Sequence, residues 1–232
     1  MPRSLLERSW RDLGNIPLDA SRYTSQAFFD LEVERMWTRV WQMACREEEL
    51  PEAGDTVVYD VVGRSLLITR QADGSIRAFH NSCTHRGRKL LLADEHVEHF
   101  RCPFHGISWQ LDGSVRSVPC RWDFEHVSDG DFCLPEARVG TWGGFVFVNL
   151  DVDAIPLEQY LEVVPDHFSR WRLEDCWKAV HVAKVIRCNW KVAQEAFMES
   201  YHVIATHPQI LSIIADANSQ YDIYGKHVSR NL

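Results

Sequence analysis

The chain has 232 residues, a formal net charge of −8 and 45% apolar residues. That length suits one large or two small domains with an ordinary packed core, and the shortage of Lys and Arg argues against a nucleic-acid binder, which needs cations to neutralise phosphates. The opening stretch Met1-Pro2-Arg3-Ser4-Leu5-Leu6-Glu7-Arg8 mixes charge into its apolar residues, so it has no secretory core, and no apolar run elsewhere is long enough to span a bilayer. Seven cysteines without a signal sequence point to a reducing, cytoplasmic setting and to metal ligation rather than a disulfide framework.

In chain order, Phe28, Phe29, Leu31, Val33, Met36, Trp37, Val40 and Trp41 recur at three-and-four spacing, which predicts an amphipathic helix over residues 25–43. Pro51 and Gly54 end that region. Short β-rich pieces follow at Val57–Val62, Ser65–Thr69 and Ile76–Phe79, with Ala72-Asp73-Gly74 as a turn. A second turn is expected at Asp112-Gly113, and Gly143-Gly144 leads into an apolar strand over Phe145–Leu150. This rhythm predicts a small antiparallel β domain over residues 40–155. Beyond it, Leu157–Trp171 reads as a helix, Ala179–Ile186 as a weakly alternating strand, and residues 189–204 as a helix. Tyr221–Tyr224 reads as one strand of a sheet whose other strands lie outside the sequence.

Two stretches inside the β region carry chemistry. Cys83-Thr84-His85 and Cys102-Pro103-Phe104-His105 are separated by sixteen residues, and each supplies one thiolate and one imidazole. The alternating order Cys, His, Cys, His is what a two-iron, two-sulfide cluster with one all-thiolate iron and one bis-imidazole iron requires. A Cys2His2 zinc site is the rival, but zinc fingers place both cysteines before both histidines. His96 and His99, between the loops, read as an exposed hairpin tip. Arg86, Arg88 and Lys89 suit either an electron-donor contact or a solvated loop. Cys45, Cys120, Cys133, Cys176 and Cys188 have no ligand spacing and are expected as buried thiols. Most of the nine tryptophans are expected in the core.

A second concentration lies at Glu195-Ala196-Phe197-Met198-Glu199-Ser200-Tyr201-His202, followed by His207-Pro208. Glu195, Glu199 and His202 would share one face of a continuous helix. His207 would lie roughly 140° further round an ideal helix, so both imidazoles reach one metal only if the helix unwinds between them, a break that Pro208 favours. Two imidazoles with a carboxylate and open positions suit non-haem Fe(II) for oxygen chemistry. The Glu-x-x-His form of Glu199–His202 also occurs in di-iron bundles, but those need a second helical copy, and Asp123–His126 is a poor one.

Together these motifs resemble the large (α) subunit of Rieske-type ring-hydroxylating oxygenases. Cys83-Thr84-His85-Arg86-Gly87 and Cys102-Pro103-Phe104-His105-Gly106 match the family's Rieske loops. Asn189-Trp190-Lys191, then Glu195 to His202 and His207, looks like its mononuclear-iron segment. The resemblance implies an α+β fold: a small antiparallel β Rieske [2Fe-2S] domain (40–155), the beginning of a truncated α+β mononuclear-iron catalytic domain (156–232), and a helical N-terminal segment (1–39) packing on the catalytic domain. It implies that Cys83 and Cys102 bind one cluster iron, His85 and His105 the other, and His202 and His207 the mononuclear Fe(II). Glu199 would be the carboxylate that links the two centres across neighbouring subunits.

Further implications are NAD(P)H electrons arriving through a separate reductase or ferredoxin, a homotrimer or α3β3 assembly, and hydroxylation of an aromatic or other cyclic substrate. A Rieske ferredoxin-like carrier is the alternative. Three departures stand out. Ile107 replaces a Trp usual after the second loop's Gly, Ala196 replaces an Asn, and the family's third iron ligand lies far downstream. Asp216 and Asp222 are too near His207 to supply it, so the sequence reads as the N-terminal half of a longer enzyme.

Overall fold

The computed structural model describes residues 14, 16–213 and 221–231; Asp216 and the first thirteen residues of the expected N-terminal segment lie outside them. The chain divides into two compact units, one of residues 35–157 and 173–178, the other of residues 1–34, 158–172 and 179–232.

The first unit is antiparallel β. Its larger sheet contains β1 (Gln42–Arg46), β2 (Asp55–Val61), β3 (Arg64–Arg70), β4 (Ile76–His80), β5 (Glu95–His96), β9 (Glu136–Trp142) and β10 (Phe145–Asn149), in the order β1-β10-β9-β4-β3-β2-β5. Between β5 and β9 in the chain, β6 (Phe100–Arg101), β7 (Ser108–Trp109) and β8 (Val115–Ser117) form a separate three-stranded sheet. Leu66, Leu67 and Ile68 of β3 are all fully buried because both faces of this central strand are covered.

Those two faces belong to two cores. One gathers Leu50, Leu66, Ile68, Ala78, Val146 and Val148 within the large sheet. The other gathers Leu67, Phe79, Leu90, Phe100, Ile107, Trp109 and Phe132 around both Cys83 and Cys102. The thiols therefore sit in a packed apolar cluster, not on a free loop. Segment 173–178 joins the same unit, where buried Arg46 donates to the carbonyl oxygens of Leu173 (3.2 Å) and Cys176, and its guanidinium lies 4.6 Å from the Phe145 ring centroid.

The second unit is built from short pieces. They are α1 (Ser21–Thr24), α2 (Gln26–Glu32), α3 (Leu157–Tyr160, whose first residue still belongs to the β unit), α4 (Val164–Phe168), α5 (Trp190–Glu195) and α6 (Val203–Thr206). The hairpin of β11 (Tyr221–Tyr224) and β12 (Val228–Asn231) completes it.

Several sequence expectations change here. The first helix does not reach residue 43. It widens to a π turn over Val33–Trp37, the Gln42 side-chain amide donates to the Trp37 carbonyl (2.7 Å), and residues 42–46 pair with β10 instead. The helix expected over 157–171 is split, because Glu162 takes a positive φ of 49° and Pro165 restarts a helix at its N-terminal end. Ala179–Ile186 forms no strand. Val180, Val182 and Val185 are exposed, and no described strand pairs with the segment. Tyr221–Tyr224 does find a partner within the chain, in β12. Cys120, Cys176 and Cys188 are exposed and Cys133 is half-buried, so of the five cysteines expected inside only Cys45 is buried, and burial pushes its thiol up to about 12. Only Trp41 and Trp109 are buried among the described tryptophans; Trp122 and Trp177 are exposed.

Candidate metal centres

The two Cys-His loops are built alike. In the first, the Cys83 amide donates to the Arg88 carbonyl (2.8 Å) and the Gly87 amide to the Cys83 carbonyl (2.8 Å). In the second, the Cys102 amide donates to the Ile107 carbonyl (2.8 Å) and the Gly106 amide to the Cys102 carbonyl (3.0 Å). Each loop closes on a glycine with positive φ, 72° at Gly87 and 80° at Gly106, a conformation that a Cβ would disfavour. Backbone bonds thus fix both turns without using the side chains that carry the chemistry.

The surroundings pin the loops further. Buried Asn81 accepts from the amides of Leu90 (2.8 Å) and Leu91 (3.1 Å) and donates to the Leu91 carbonyl (2.8 Å), closing the base of the first loop. Thr84 Oγ1 and Trp109 Nε1 both donate to the Phe132 carbonyl, at 3.1 and 2.6 Å. Ile107 is buried in the same core as Trp109, so its departure from the usual Trp concerns packing.

Cys83 and Cys102 are 4% and 2% exposed, whereas His85 and His105 lie at the surface. The two imidazole centroids are 4.9 Å apart, and Phe104 stacks on His105 at 4.0 Å. Burial raises the Cys83 thiol, against the peptide N–H groups of His85 and Arg86. Burial also opposes ionisation of Cys102, but N–H groups of Phe104 and His105 and the Cys83 thiol outweigh it and bring this thiol below its ordinary value. A paired thiol set on the inside and a paired imidazole set on the outside fit a cluster that takes two protein ligands on each iron.

The second group sits on shorter elements. Asn189 caps α5 by accepting from the Lys191 amide (3.0 Å), and Trp190 Nε1 and Lys191 Nζ both donate to Glu32 of α2, at 3.1 and 2.6 Å. Tyr23 donates to Glu195 (2.8 Å). The helix then ends at Ala196, so Glu195, Glu199 and His202 do not share the continuous helical face expected from their spacing. A new single turn, α6, follows His202 and stops before His207, where φ is −127° and ψ is 52°. Ending the helix there brings the imidazoles to 5.3 Å between centroids at 76°. Pro208 accounts for the non-helical dihedrals of His207, but the stretch between the two histidines stays helical instead of unwinding as expected.

Glu199 engages His202 twice, Oε1 lying 2.5 Å from Nδ1 and Oε2 accepting the amide at 3.2 Å. The bond from His202 holds the Glu199 carboxyl below its usual value. Asp222 is buried and accepts from Arg230 Nε at 3.0 Å, which leaves it in an ion pair. Among the described residues, no three His, Cys, Asp or Glu side chains form a metal-holding group; the donors come as pairs, with Glu199 turned toward His202. Sequence reading misses Tyr23, Glu32 and Tyr221, whose contacts with this segment span long sequence separations and leave no local pattern.

Residues 40–128 match the family described as Rieske [2Fe-2S] domain, and residues 166–231 that described as Ring hydroxylating alpha subunit (catalytic domain). Biphenyl 2,3-dioxygenase subunit alpha of Rhodococcus jostii (strain RHA1) is 32% identical over 213 residues, covering 89% of this chain and 46% of the relative. A quaternary ammonium Rieske monooxygenase in complex with L-carnitine superposes with a TM-score of 0.81 at 25% identity, covering 88% of this chain and 59% of the other. Naphthalene 1,2-dioxygenase with indole bound gives 0.67 at 32% identity, covering 79% and 43%. The chain spans about half the length of the curated relatives it matches. No helix among the described residues is long and apolar enough to cross a membrane. The chain thus carries a Rieske [2Fe-2S] domain followed by ring-hydroxylating alpha-subunit catalytic-domain sequence, as the large subunits of Rieske-type oxygenases do, and these two domains imply a Rieske cluster and a mononuclear iron.

Proposed function

We propose that the chain serves a terminal oxygenase component that hydroxylates an aromatic or other cyclic organic substrate. The observation that carries this reading is the presence of two donor sets of different chemistry, the thiol–imidazole pairs and the Glu199–His202–His207 segment. Cys83 and Cys102 would hold one cluster iron, His85 and His105 the other, and His202 and His207 the mononuclear Fe(II). When bound, the cluster supplies single electrons at a potential raised by its neutral imidazole ligands, and the iron supplies dioxygen activation.

The chain's own residues prepare these sites. Burial keeps water from the two thiols, while the imidazoles stay open to solvent. Glu199 holds the proton on His202 Nδ1, which leaves the Nε2 lone pair for metal. Its carboxylate is also partly exposed (41%), as a bridge to an imidazole of a neighbouring subunit would require. The assembly on this reading is a homotrimer or α3β3 complex in the cytoplasm, supplied with NAD(P)H electrons by a ferredoxin or reductase. The domains are taken as 1–39, 40–155 and 156–232, with the first packing on the third; the grouping of the described residues up to 34 with those of 158–172 and 179–232 supports this.

His202→Ala tests the reading. It should remove one iron per chain and leave the cluster's EPR signal intact. Loss of the cluster as well would refute two independent sites, and an unchanged iron count would remove His202 from the second site. A turnover panel of biphenyl-like and carnitine-like compounds, run on the complete oxygenase, would separate the substrate classes named by the relatives.

A further inference from the structure

Tyr221, the first residue of β11, reaches back across twenty-one positions to the segment that carries Glu199. Its phenol oxygen accepts the Ser200 amide at 3.1 Å and lies 3.2 Å from Ser200 Oγ, where either hydroxyl can donate. Ser200 is only 8% exposed. The base on which Tyr221 stands is firm. β11 and β12 pair through four residue pairs, buried Asp222 binds Arg230, the Tyr224 ring lies 5.2 Å from that of buried His167, and Glu162 accepts the Lys226 amide at 2.9 Å.

We propose that Tyr221 is a positioning residue for the Glu199–His202 pair, an inference that rests on the iron-site reading above. Bonds from one phenol oxygen to both the backbone and the side chain of Ser200 fix the Glu199–Ser200 peptide. That peptide carries Glu199, and the Glu199 carboxylate in turn sets the orientation of the His202 ring. Tyr221 acts on the donor groups only through Ser200 and Glu199. Outer groups of this kind change metal affinity without supplying a ligand.

The test uses the full chain with Tyr221→Phe, which removes one oxygen and keeps the ring. Co(II) alone is the probe, titrated by visible absorption, and the His202 Nδ1–H resonance is followed by NMR in metal-free protein. The expected result is about tenfold weaker Co(II) binding and a shifted ring N–H signal, with cluster iron, sulfide and Tm unchanged. Ser200→Ala keeps the peptide N–H and should weaken Co(II) by no more than about threefold.

Wild-type Co(II) affinity and ring signal in Tyr221→Phe, while His202→Ala abolishes binding, would overturn the positioning role and leave the iron site standing. Undiminished Co(II) binding by His202→Ala would remove the iron-site reading and this inference with it. A fall in Tm and cluster content alongside Co(II) affinity would make Tyr221 a structural residue only and also overturn the proposal.

Discussion

The cluster loops and the Glu199–His207 segment are held by different means. The loops are closed by backbone hydrogen bonds of their own and rest on a core that contains Phe100, Ile107 and Trp109. The Glu199–His207 segment has one helical turn and depends on side chains that bind its backbone or each other, with Tyr221 on Ser200 and Glu199 on His202. A site on a sheet-supported core keeps its geometry because the fold and the site share the same contacts. A site on short turns is set by a few individual bonds, so single atoms matter more there.

Mutation can break this contrast. Cys102→Ser should abolish the cluster, read as loss of its visible absorption and EPR signal, while Co(II) binding at His202 and His207 persists; loss of both would show the two sites to be one cooperative structure. Trp109→Ala should cost about 3–5 kcal/mol by chemical denaturation, since it empties a fully buried position and takes one of two side-chain donors, Trp109 and Thr84, from the Phe132 carbonyl. Asn189→Ala, which removes the cap of α5, should cost about 1 kcal/mol and weaken Co(II) binding more than it disturbs the cluster.

The smallest effect concerns acid. The hydrogen bond from His96, followed by that from the Glu52 amide, holds the Asp55 carboxyl below its ordinary 3.8. The stability Asp55 adds is therefore complete above that value and is lost as pH falls through the lowered one. His96→Ala should make acid unfolding of the β unit slightly less steep below pH 3.8, and an unchanged acid limb would remove the pair from the account.

The two Cys-His loops are legible in the sequence because their proposed ligands and turn glycines are local: Cys83 to Gly87 and Cys102 to Gly106 each fit one turn. The strands β2, β3 and β4 are legible for the same reason, through short apolar runs bounded by turn residues. The Glu195–His207 stretch is only half legible. Pro208 announces a break beside His207, but nothing local announces the earlier end at Ala196 or the bonds from Tyr23, Glu32 and Tyr221. Ala179–Ile186 alternates like a strand, yet alternation needs a partner to become one, and none of the described strands supplies it.

On the proposed function, one chain carries two separate metal centres. Anaerobic reconstitution with Fe(II) and sulfide, followed by iron and acid-labile sulfide analysis with EPR of the reduced protein, tests it most directly. About three irons and two sulfides per chain are expected, with a Rieske-type signal. Two irons with two sulfides would contradict the second centre, and zinc without sulfide would contradict both.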